Sequence, residues 1–469
     1  MTPIDPAAGL RDGFSGDLLV PGDRGYDDAR LVFNRMIDRR PAVIAVCASC
    51  ADVVAAVNFA RDNGLVTAVR CGGHSVAGLG TCDAGIIIDL GGLKRIAVDP
   101  ETRTARAGGG VLWGEFDAAT QQHGLHTPGG RVTTTGLGGF TTGGGYGWTS
   151  SKHGLACDNL VAAEVVLADG SVVTASEDEH PELFWGIRGG GGNFGIVTEF
   201  EFRLHPLGPN VLAGLTIFPI ERAPEVVRGW RDFADAAPDE LSTACVVLTA
   251  PPEPFVPGEL QGKSVVAIAV LYVGDPECGA PAVQPLRELA PAVDLIGPMP
   301  YTAFQAALDP MAPPGFRSYW RGEYMRELGD AAIDVFLDRA VDITTLGAPL
   351  SQQIIFRIGQ GVAAVPHEAT AFSHRDAAYL FHPITVWSRP ADDERMIEAA
   401  RAFAVAMRPF GTGASYLNFT PEADRVRDAF GEDKYARLVA LKNAYDPGNL
   451  FRLNQNIRPS RAAAEPALT

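Results

Sequence analysis

The chain has 469 residues, of which 46% are hydrophobic and 20% charged, and its formal net charge is −17. This length predicts two or three domains or one large two-lobed enzyme, and the acidity argues against nucleic acids and anionic membranes as partners. No apolar run reaches the roughly 18 residues of a spanning helix, and the stretch MTPIDPAAGLRDGFSGD lacks a signal-peptide pattern, so we expect a cytoplasmic protein with reduced cysteines.

The first part of the chain alternates short apolar strands with helices. We predict a strand at Pro41–Val46, a helix at Ser49–Asn63 that Ser49 caps, and a strand at Val66–Arg70. This β-α-β unit delivers a loop at Arg70–Ser75. Further strands are predicted at residues 86–90, 96–100, 102–108, 160–167, 172–174 and 196–204, and a helix at residues 111–122.

A glycine-dense stretch, Pro128–Asn159, interrupts this pattern. Glycine lets backbone N–H groups approach a ligand closely, and successive N–H groups form nests that suit phosphate. The alternative is a flexible linker or a set of tight turns. Linkers rarely interleave aromatic residues with glycine, whereas this stretch contains Phe140, Tyr146 and Trp148.

The character of the chain changes near residue 208. Longer alternating strands, such as Ser264–Val273 and Gln352–Ile358, are separated by predicted helices such as 331–337 and 392–406. We therefore expect an α+β protein in which residues 208–411 form a substrate domain with an antiparallel sheet flanked by helices. Residues 1–207 form the other domain, and residues 412–469 return to it.

Two text matches to nucleotide motifs fail on mechanism. The glycines at 190, 192 and 195 precede a predicted strand, so no helix N-terminus can receive a pyrophosphate. The Gly262-Lys263-Ser264 segment has Pro257 where a phosphate-binding loop needs glycine. Cys47 and Cys50 form a C-x-x-C without a second pair, so we interpret them as structural and expect no metal site.

Several motifs together carry a family resemblance. They are RCGGHS at Arg70–Ser75, GLACDN at Gly154–Asn159, RGGGGNFGIV at Arg188–Val197, and YDPGNLFRLNQNIRP at Tyr445–Pro459. In this order and spacing they resemble the berberine-bridge-enzyme-like FAD-linked oxidases of the vanillyl-alcohol-oxidase/PCMH superfamily. The resemblance implies a two-part PCMH-type FAD-binding domain, which would be residues 1–207 completed by 412–469. It departs from the usual pattern at Cys71 and at Tyr319–Gly322.

The resemblance also implies how FAD is held. In the family, the residue matching His74 bonds to the flavin 8α-methyl and the one matching Cys157 bonds to C6, so bicovalent FAD is expected. A neutral imidazole and a thiolate are suitable nucleophiles. Taken alone, His74 could be a turn histidine and Cys157 a buried thiol. The remaining residues expected around the cofactor are Arg70, Cys71, Gly72, Gly73, Ser75, Gly78, Thr134, Thr135, Gly138, Gly139, Thr142, Gly143, Gly144, Gly145, Gly147, His153, Asn159, Gly192, Asn193, Gly195, Val197, Tyr416, Asn418, Asn454 and Asn456.

Two residues are catalytic candidates. Tyr416 matches a family tyrosine that deprotonates a substrate hydroxyl, but a phenol with a pKa near 10 needs that pKa lowered to act as a base. His382 falls where relatives place a polar substrate-side residue, and it would titrate near neutral pH. The alternatives are a packing tyrosine and a strand histidine. Six aromatic residues could line an apolar pocket, with core packing as the alternative for each: Tyr301, Phe304, Trp320, Tyr324, Phe356 and Trp387.

The resemblance predicts an oxidase in which a small organic substrate transfers a hydride to flavin N5 and O2 reoxidises the flavin to give H2O2. A bulky secondary metabolite is the favoured substrate, and an oligosaccharide or sugar is the alternative. A dehydrogenase with a non-oxygen acceptor and a flavin-binding protein without turnover stay open. The Ala-, Gly-, Pro- and Arg-rich composition suits a high-GC bacterium, and we expect a monomer or homodimer.

Overall fold

The fold was analysed in a computed structural model that describes residues 6–421 and 426–460. The described residues form twenty strands and fifteen α-helices. The strands are β1 (Asp17–Leu19), β2 (Val43–Val46), β3 (Thr67–Arg70), β4 (Ile86–Asp89), β5 (Ile96–Asp99), β6 (Thr104–Gly108), β7 (Leu125–His126), β8 (Leu160–Val166), β9 (Val172–Ser176), β10 (Ile196–Arg203), β11 (His205–Pro206), β12 (Asn210–Pro219), β13 (Leu241–Thr249), β14 (Ser264–Tyr272), β15 (Val293–Asp294), β16 (Gly297–Pro300), β17 (Arg317–Trp320), β18 (Glu323–Met325), β19 (Gln352–Arg357) and β20 (Tyr379–Trp387). The helices are α1 (Tyr26–Ala29), α2 (Cys50–Asp62), α3 (Trp113–Gln121), α4 (Leu137–Thr142), α5 (Ser150–His153), α6 (Pro181–Ile187), α7 (Ala223–Ala236), α8 (Pro276–Gly279), α9 (Gln284–Glu288), α10 (Tyr301–Gln305), α11 (Asp330–Thr345), α12 (Gln360–Ala363), α13 (Asp393–Met407), α14 (Val426–Phe430) and α15 (Glu432–Tyr445).

The N-terminal sheet has four strands in the order β1-β2-β4-β3. The last three are parallel, and β1 is an antiparallel edge. Helix α2 connects β2 to β3 and starts at a capping box, in which Ser49 and Asp52 each bond the other's backbone N–H. Strand β3 ends at Arg70, which donates to Asp89 at the end of the neighbouring strand β4. This buried ion pair anchors the loop that begins at Cys71.

A second sheet has five antiparallel strands in the order β5-β6-β10-β8-β9. Trp113 and Phe116 from α3 pack on it against Phe200 and Phe202, and all four side chains are buried. The C-terminal helix α15 contributes to the same core. The tail therefore packs back on the first part of the chain.

The third sheet has nine strands, all antiparallel, and spans residues 210–387. Alternate residues of a strand point to opposite faces. Phe381 of β20 points to the face covered by α11 and α13, where it meets Phe336 and Phe403. His382 points to the opposite face, which borders the cavity described below.

The predicted α+β fold is confirmed, with an antiparallel sheet flanked by helices in the second part. The predicted helix at residues 331–337 extends to Thr345, and the glycine-dense stretch contains the short helix α4. The domain limits 1–207, 208–411 and 412–469 stay predictions. Residues 1–5, 422–425 and 461–469 lie outside the described ranges. In those ranges we find no helix with the length and apolar character to cross a bilayer.

Candidate functional site

The functional candidate is a cavity of about 360 Å³ between the two parts of the molecule. One side is formed by the loop after β3, by the glycine-dense stretch and by residues 189–197. The other side is formed by one face of the nine-stranded sheet and by the C-terminal residues 417–420 and 451–455. Segments far apart in sequence therefore line one cavity.

His74 faces this cavity from the loop after β3. Its ring stacks on Phe33 at a centroid distance of 4.2 Å, and Nε2 lies 2.9 Å from Thr134 Oγ1. Burial lowers the pKa of His74 to about 4, so the imidazole is neutral at physiological pH. An Nε2–H that donates to Thr134 would leave the Nδ1 lone pair free as a nucleophile.

Other parts of the cavity could hold the portions of FAD that lie away from His74. A Cβ added to Gly139 or Gly192 would meet no atom within 4 Å, so glycine keeps space open at both positions. The Oδ1 atom of Asn454 and the Oε1 atom of Gln455 are buried without a hydrogen-bond partner, and both residues line the cavity. Unpaired acceptors of this kind are suited to the hydroxyl and amino groups of FAD. The glycines and the unpaired side-chain oxygens of this cavity are therefore compatible with bound FAD.

Most of the predicted cofactor residues line the cavity. Those that do are Arg70, Cys71, Gly72, Gly73, His74, Ser75, Thr135, Gly138, Gly139, Thr142, Gly143, Gly192, Gly195, Val197, Asn418 and Asn454. Those outside the lining are Gly78, Thr134, Gly144, Gly145, Gly147, His153, Cys157, Asn159, Asn193, Tyr416 and Asn456.

Several of the residues outside the lining shape its walls instead. The Asn193 amide donates to the carbonyls of Gly190 and Gln455 and accepts from the Ile457 N–H, so it ties the tail to the glycine segment. Gly145 has a φ of +84°, a left-handed conformation that favours glycine. Asn193 and Gly145 therefore help to fix the backbone that forms the cavity wall.

Cys157 is not among the residues that line the cavity, and its predicted bond to the flavin stays a prediction. Its side chain is fully buried in an apolar cluster with Tyr324 and Phe372, and Sγ lies 3.7 Å from Asp158 Oδ1. Burial raises the pKa of this thiol well above its usual range. A thiol without thiolate character and without access to the cavity is a poor nucleophile.

His382 is held in the cavity wall by strand β20. The neighbouring strands contribute alternate residues to the same face, including Trp320 from β17 and Ile354 and Phe356 from β19. The Nδ1 atom of His382 lies 2.6 Å from the Arg321 carbonyl oxygen, which can only accept, so Nδ1 carries the proton. Burial lowers the pKa of His382 to about 3. The ring is therefore neutral, and Nε2 keeps its lone pair.

Tyr416 lies outside the cavity lining, and its role as the catalytic base stays a prediction. Its hydroxyl oxygen accepts from the backbone N–H groups of Gly145 at 3.0 Å and Tyr146 at 3.2 Å, and from the Asn418 amide at 3.1 Å. Burial is the largest influence and raises the pKa of Tyr416 to about 12. Phe419, three residues later, lines the cavity and stacks on His382 at 3.8 Å. Tyr416 therefore braces the glycine turn.

Sequence reasoning missed several cavity residues. Phe33, Arg131 and Phe419 were not singled out, although all three line the site. Of the six aromatic residues suggested for the pocket, Trp320 and Phe356 line it, whereas Tyr301, Phe304, Tyr324 and Trp387 are buried in core clusters outside the lining. Arg131 directly follows the first two glycines of the glycine-dense stretch. A cation next to a predicted ligand-binding loop was the signal that could have identified it as a cavity residue.

Three histidines, the buried His126 and the half-buried His153 and His205, form a cluster outside the cavity. His153 stacks on His205 at 3.9 Å, and His126 lies 5.2 Å from His153. Both ring nitrogens of the fully buried His126 have no hydrogen-bond partner. Burial lowers the pKa of His126 well below its ordinary value, of His153 to about 3 and of His205 to about 4.

This cluster should make stability depend on pH. Because the pKa of His126 is lowered by folding, the unfolded chain takes up the proton first as the pH falls below about 6.5. Stability from His126 is therefore present above that pH and lost below it, and His126→Phe should reduce the loss between pH 7 and 5 by about 1–2 kcal/mol. Burial raises the pKa of Asp117 to about 7, so the stability contributed by Asp117 changes with pH in the opposite direction. This contribution is the same in the wild type and in His126→Phe, and it cancels when the two are compared.

Urea unfolding at pH 7 and pH 5 measures the effect. The exposed His123 is the matched control, and His123→Phe should follow the wild-type pH dependence. An equal drop in the free energy of unfolding for wild type and His126→Phe would contradict the assignment.

Comparisons with known proteins agree with this architecture. Residues 41–176 match the family described as FAD binding domain, and residues 415–458 match the family described as berberine and berberine like. The (R)-6-hydroxynicotine oxidase of Paenarthrobacter nicotinovorans is 33% identical over 95% of this chain and 97% of that protein. Xylooligosaccharide oxidase of Thermothelomyces thermophilus is 30% identical, and the match covers 91% of this chain and 89% of that protein. The crystal structure of 6-hydroxy-D-nicotine oxidase from Arthrobacter nicotinovorans has a TM-score of 0.83 at 28% identity, and the match covers 95% of this chain and 98% of that one.

Proposed function

Because this chain belongs to the berberine-bridge-enzyme-like family of FAD-linked oxidoreductases, we propose that it is an oxidase of small aromatic or heterocyclic molecules. The observation that carries the proposal is the shared cavity, in which His74 and the glycine segments face the apolar wall that holds His382. When bound, FAD accepts a hydride from the substrate and passes two electrons to O2, which yields H2O2.

His74 is the proposed point of covalent attachment. Its neutral ring lies at the cavity wall with Nδ1 free of protein partners among the described residues. We place the attachment at His74 alone, since the buried Cys157 thiol would have to leave its apolar cluster to form a second bond. The remaining glycine segments and the free oxygens of Asn454 and Gln455 bind the rest of the cofactor.

His382 is the proposed proton acceptor. Its Nε2 lone pair accepts a hydrogen bond from a substrate O–H or N–H, and takes the proton as the hydride leaves. The carbonyl of Arg321 fixes the ring tautomer, and the stack on Phe419 fixes its plane. Both contacts orient the base before the substrate arrives.

The cavity walls favour an aromatic substrate over a sugar. They are mostly apolar, and the apolar residues on the sheet side are Leu308, Met311, Phe316, Trp320, Ile354, Phe356, Ile384 and Val386. A sugar needs a polar partner for most of its hydroxyls, because a buried hydroxyl without one is costly. Hydroxynicotine, which appears in the name of one relative, belongs to the favoured class, and the bulky secondary metabolite expected from the sequence belongs to it only if it is aromatic.

Two measurements test this function. Protein reduced by light under anaerobic conditions is mixed with air-saturated buffer, and we expect reoxidation with one H2O2 per flavin. Slow reaction with O2 and fast reaction with a dye would instead indicate a dehydrogenase. A panel of aromatic amines and benzylic alcohols is then compared with xylobiose, and turnover of xylobiose alone would contradict the aromatic class. Protein purified without flavin would overturn the proposal as a whole.

A further inference from the structure

Arg131 is a buried cation in the cavity wall. Its side chain is 91% buried, as the residue is only 9% exposed. The guanidinium carbon lies 4.5 Å from the ring centre of Tyr146, 4.8 Å from that of Trp148 and 4.1 Å from that of Phe356. Nη1 and Nη2 donate to the carbonyls of Tyr146 and Gly147, both at 3.2 Å. Nε is buried and has no acceptor.

Arg131 differs from two other buried arginines, Arg70 and Arg375, in having no counter-ion among the described residues. Arg70 pairs with Asp89 and Arg375 pairs with Asp158, whereas no carboxylate of residues 6–421 or 426–460 lies within ion-pair distance of Arg131. Burial lowers the pKa of Arg131 to about 10, so it is still charged at pH 7. A buried charge is stable only when it is paired, and aromatic faces compensate it in part.

A second donor without a partner lies in the same wall. The indole Nε1–H of Trp320 is buried, has no acceptor, and belongs to a residue that lines the cavity. Phe356 packs against Arg131 on one side and lies 6.2 Å from the His382 ring. The unpaired positive charge is therefore close to the strands that carry the proposed proton acceptor.

We propose that the substrate is an aromatic carboxylate and that its carboxylate group binds Arg131. The charge that the protein leaves unpaired is then neutralised by the ligand, and the apolar walls receive the aromatic ring. Guanidinium is suited to this role because its N–H groups match carboxylate geometry. The inference rests on the proposed function, since it assigns a substrate class to the same cavity.

The test uses the flavin-loaded enzyme and two probes of equal shape. Benzoate and neutral benzamide are titrated while the visible flavin spectrum and the heat of binding are recorded. We expect benzoate to bind about 10- to 100-fold more tightly than benzamide, which is the range for a hydrogen bond to a charged group. Arg131→Met should remove this preference, and Arg131→Lys should keep part of it.

The matched control is Arg188→Met. Arg188 also lies over an aromatic ring, that of Phe184, and donates to backbone carbonyls, but it is outside the cavity lining. The Arg188→Met substitution should leave the preference for benzoate over benzamide unchanged. Equal binding of both probes to wild type would overturn the proposal, and this comparison needs no variant.

Two other outcomes separate the possible failures. If Arg131→Met lowers the flavin reduction potential but keeps the benzoate preference, the cation serves the reduced flavin and the proposal is wrong. If flavin and peroxide formation are present while benzoate shows no preference, only the substrate assignment fails. Absence of flavin would reject the proposed function itself, and heat-detected benzoate binding would still report on Arg131.

Discussion

Replacement of His74 by alanine is expected to release the flavin from the polypeptide. After acid denaturation of the wild type, the yellow colour and the mass of FAD should stay with the chain, whereas His74→Ala should leave both in the supernatant. Turnover should fall by about 10- to 100-fold, because a cofactor held only by non-covalent contacts is positioned less well. Absorbance of the denatured pellet and intact mass measure attachment, and steady-state peroxide formation measures turnover.

Two further variants make this result specific. Cys157→Ser should keep the full mass of bound FAD, because its thiol is buried outside the cavity. Thr134→Val removes the oxygen that lies 2.9 Å from His74 Nε2 and should slow attachment without preventing it. Release of FAD from the Cys157→Ser protein, or retention of covalent FAD by His74→Ala, would contradict attachment through His74 alone.

The sequence predicted the parts of this fold that depend on local chemistry. The helix start at Ser49 was predictable because a capping residue precedes an apolar periodic segment. The alternation in Gln352–Ile358 predicted a strand with two distinct faces, and the structure places Ile354 and Phe356 on the cavity face. The loop motif at Arg70–Ser75 likewise predicted the position of His74.

The sequence could not predict which side chains turn toward the cavity where the backbone is irregular. Tyr416 precedes a single 3₁₀ turn, Leu417–Phe419, and Phe419 is its last residue. The Tyr416 hydroxyl is directed toward the glycine turn by tertiary contacts with Gly145 and Tyr146, which no local pattern predicts. Cys157 also lies in a 3₁₀ segment, Ala156–Asn159, without a strand or helix period to assign its face. For both residues, the role that the family motif implies stays a prediction.

Long-range pairing is a second limit of the sequence. Arg375 finds its counter-ion in Asp158, 217 residues earlier, whereas Arg131 finds none among the described residues. No local pattern distinguishes these two arginines. The charge balance of the cavity becomes visible only in the folded structure, where segments from distant parts of the sequence are packed together.

The second large effect is expected at His382. His382→Asn should lower kcat by about 10²- to 10⁴-fold, the range for loss of a general base. Asparagine can still donate to the Arg321 carbonyl through its amide, but it has no atom equivalent to Nε2. Flavin content and covalent attachment should be unchanged, since His382 lies on the sheet side of the cavity. Rapid-reaction measurement of flavin reduction by a substrate from the aromatic panel reports this step directly.

The pH profile of flavin reduction distinguishes a buried histidine base from an exposed one. The pKa of His382 is lowered to about 3, so the base stays unprotonated above that value, and the wild-type rate should show no acid limb near pH 6.5 that arises from this group. An acid limb that comes from titration of the substrate itself would shift when the pH profile is repeated with a second substrate of different pKa. An acid limb near pH 6.5 that His382→Asn removes would contradict the buried, neutral ring.

Tyr416→Phe is the matched control, because it removes the hydroxyl that the sequence suggested as the base. The reduction rate should stay within about threefold of wild type, far below the loss of a general base. The free energy of unfolding should fall by about 1–3 kcal/mol, because the N–H groups of Gly145 and Tyr146 lose their acceptor in a buried turn. A large rate loss in Tyr416→Phe, together with a small one in His382→Asn, would return the catalytic role to the tyrosine and require the glycine turn to open during reaction.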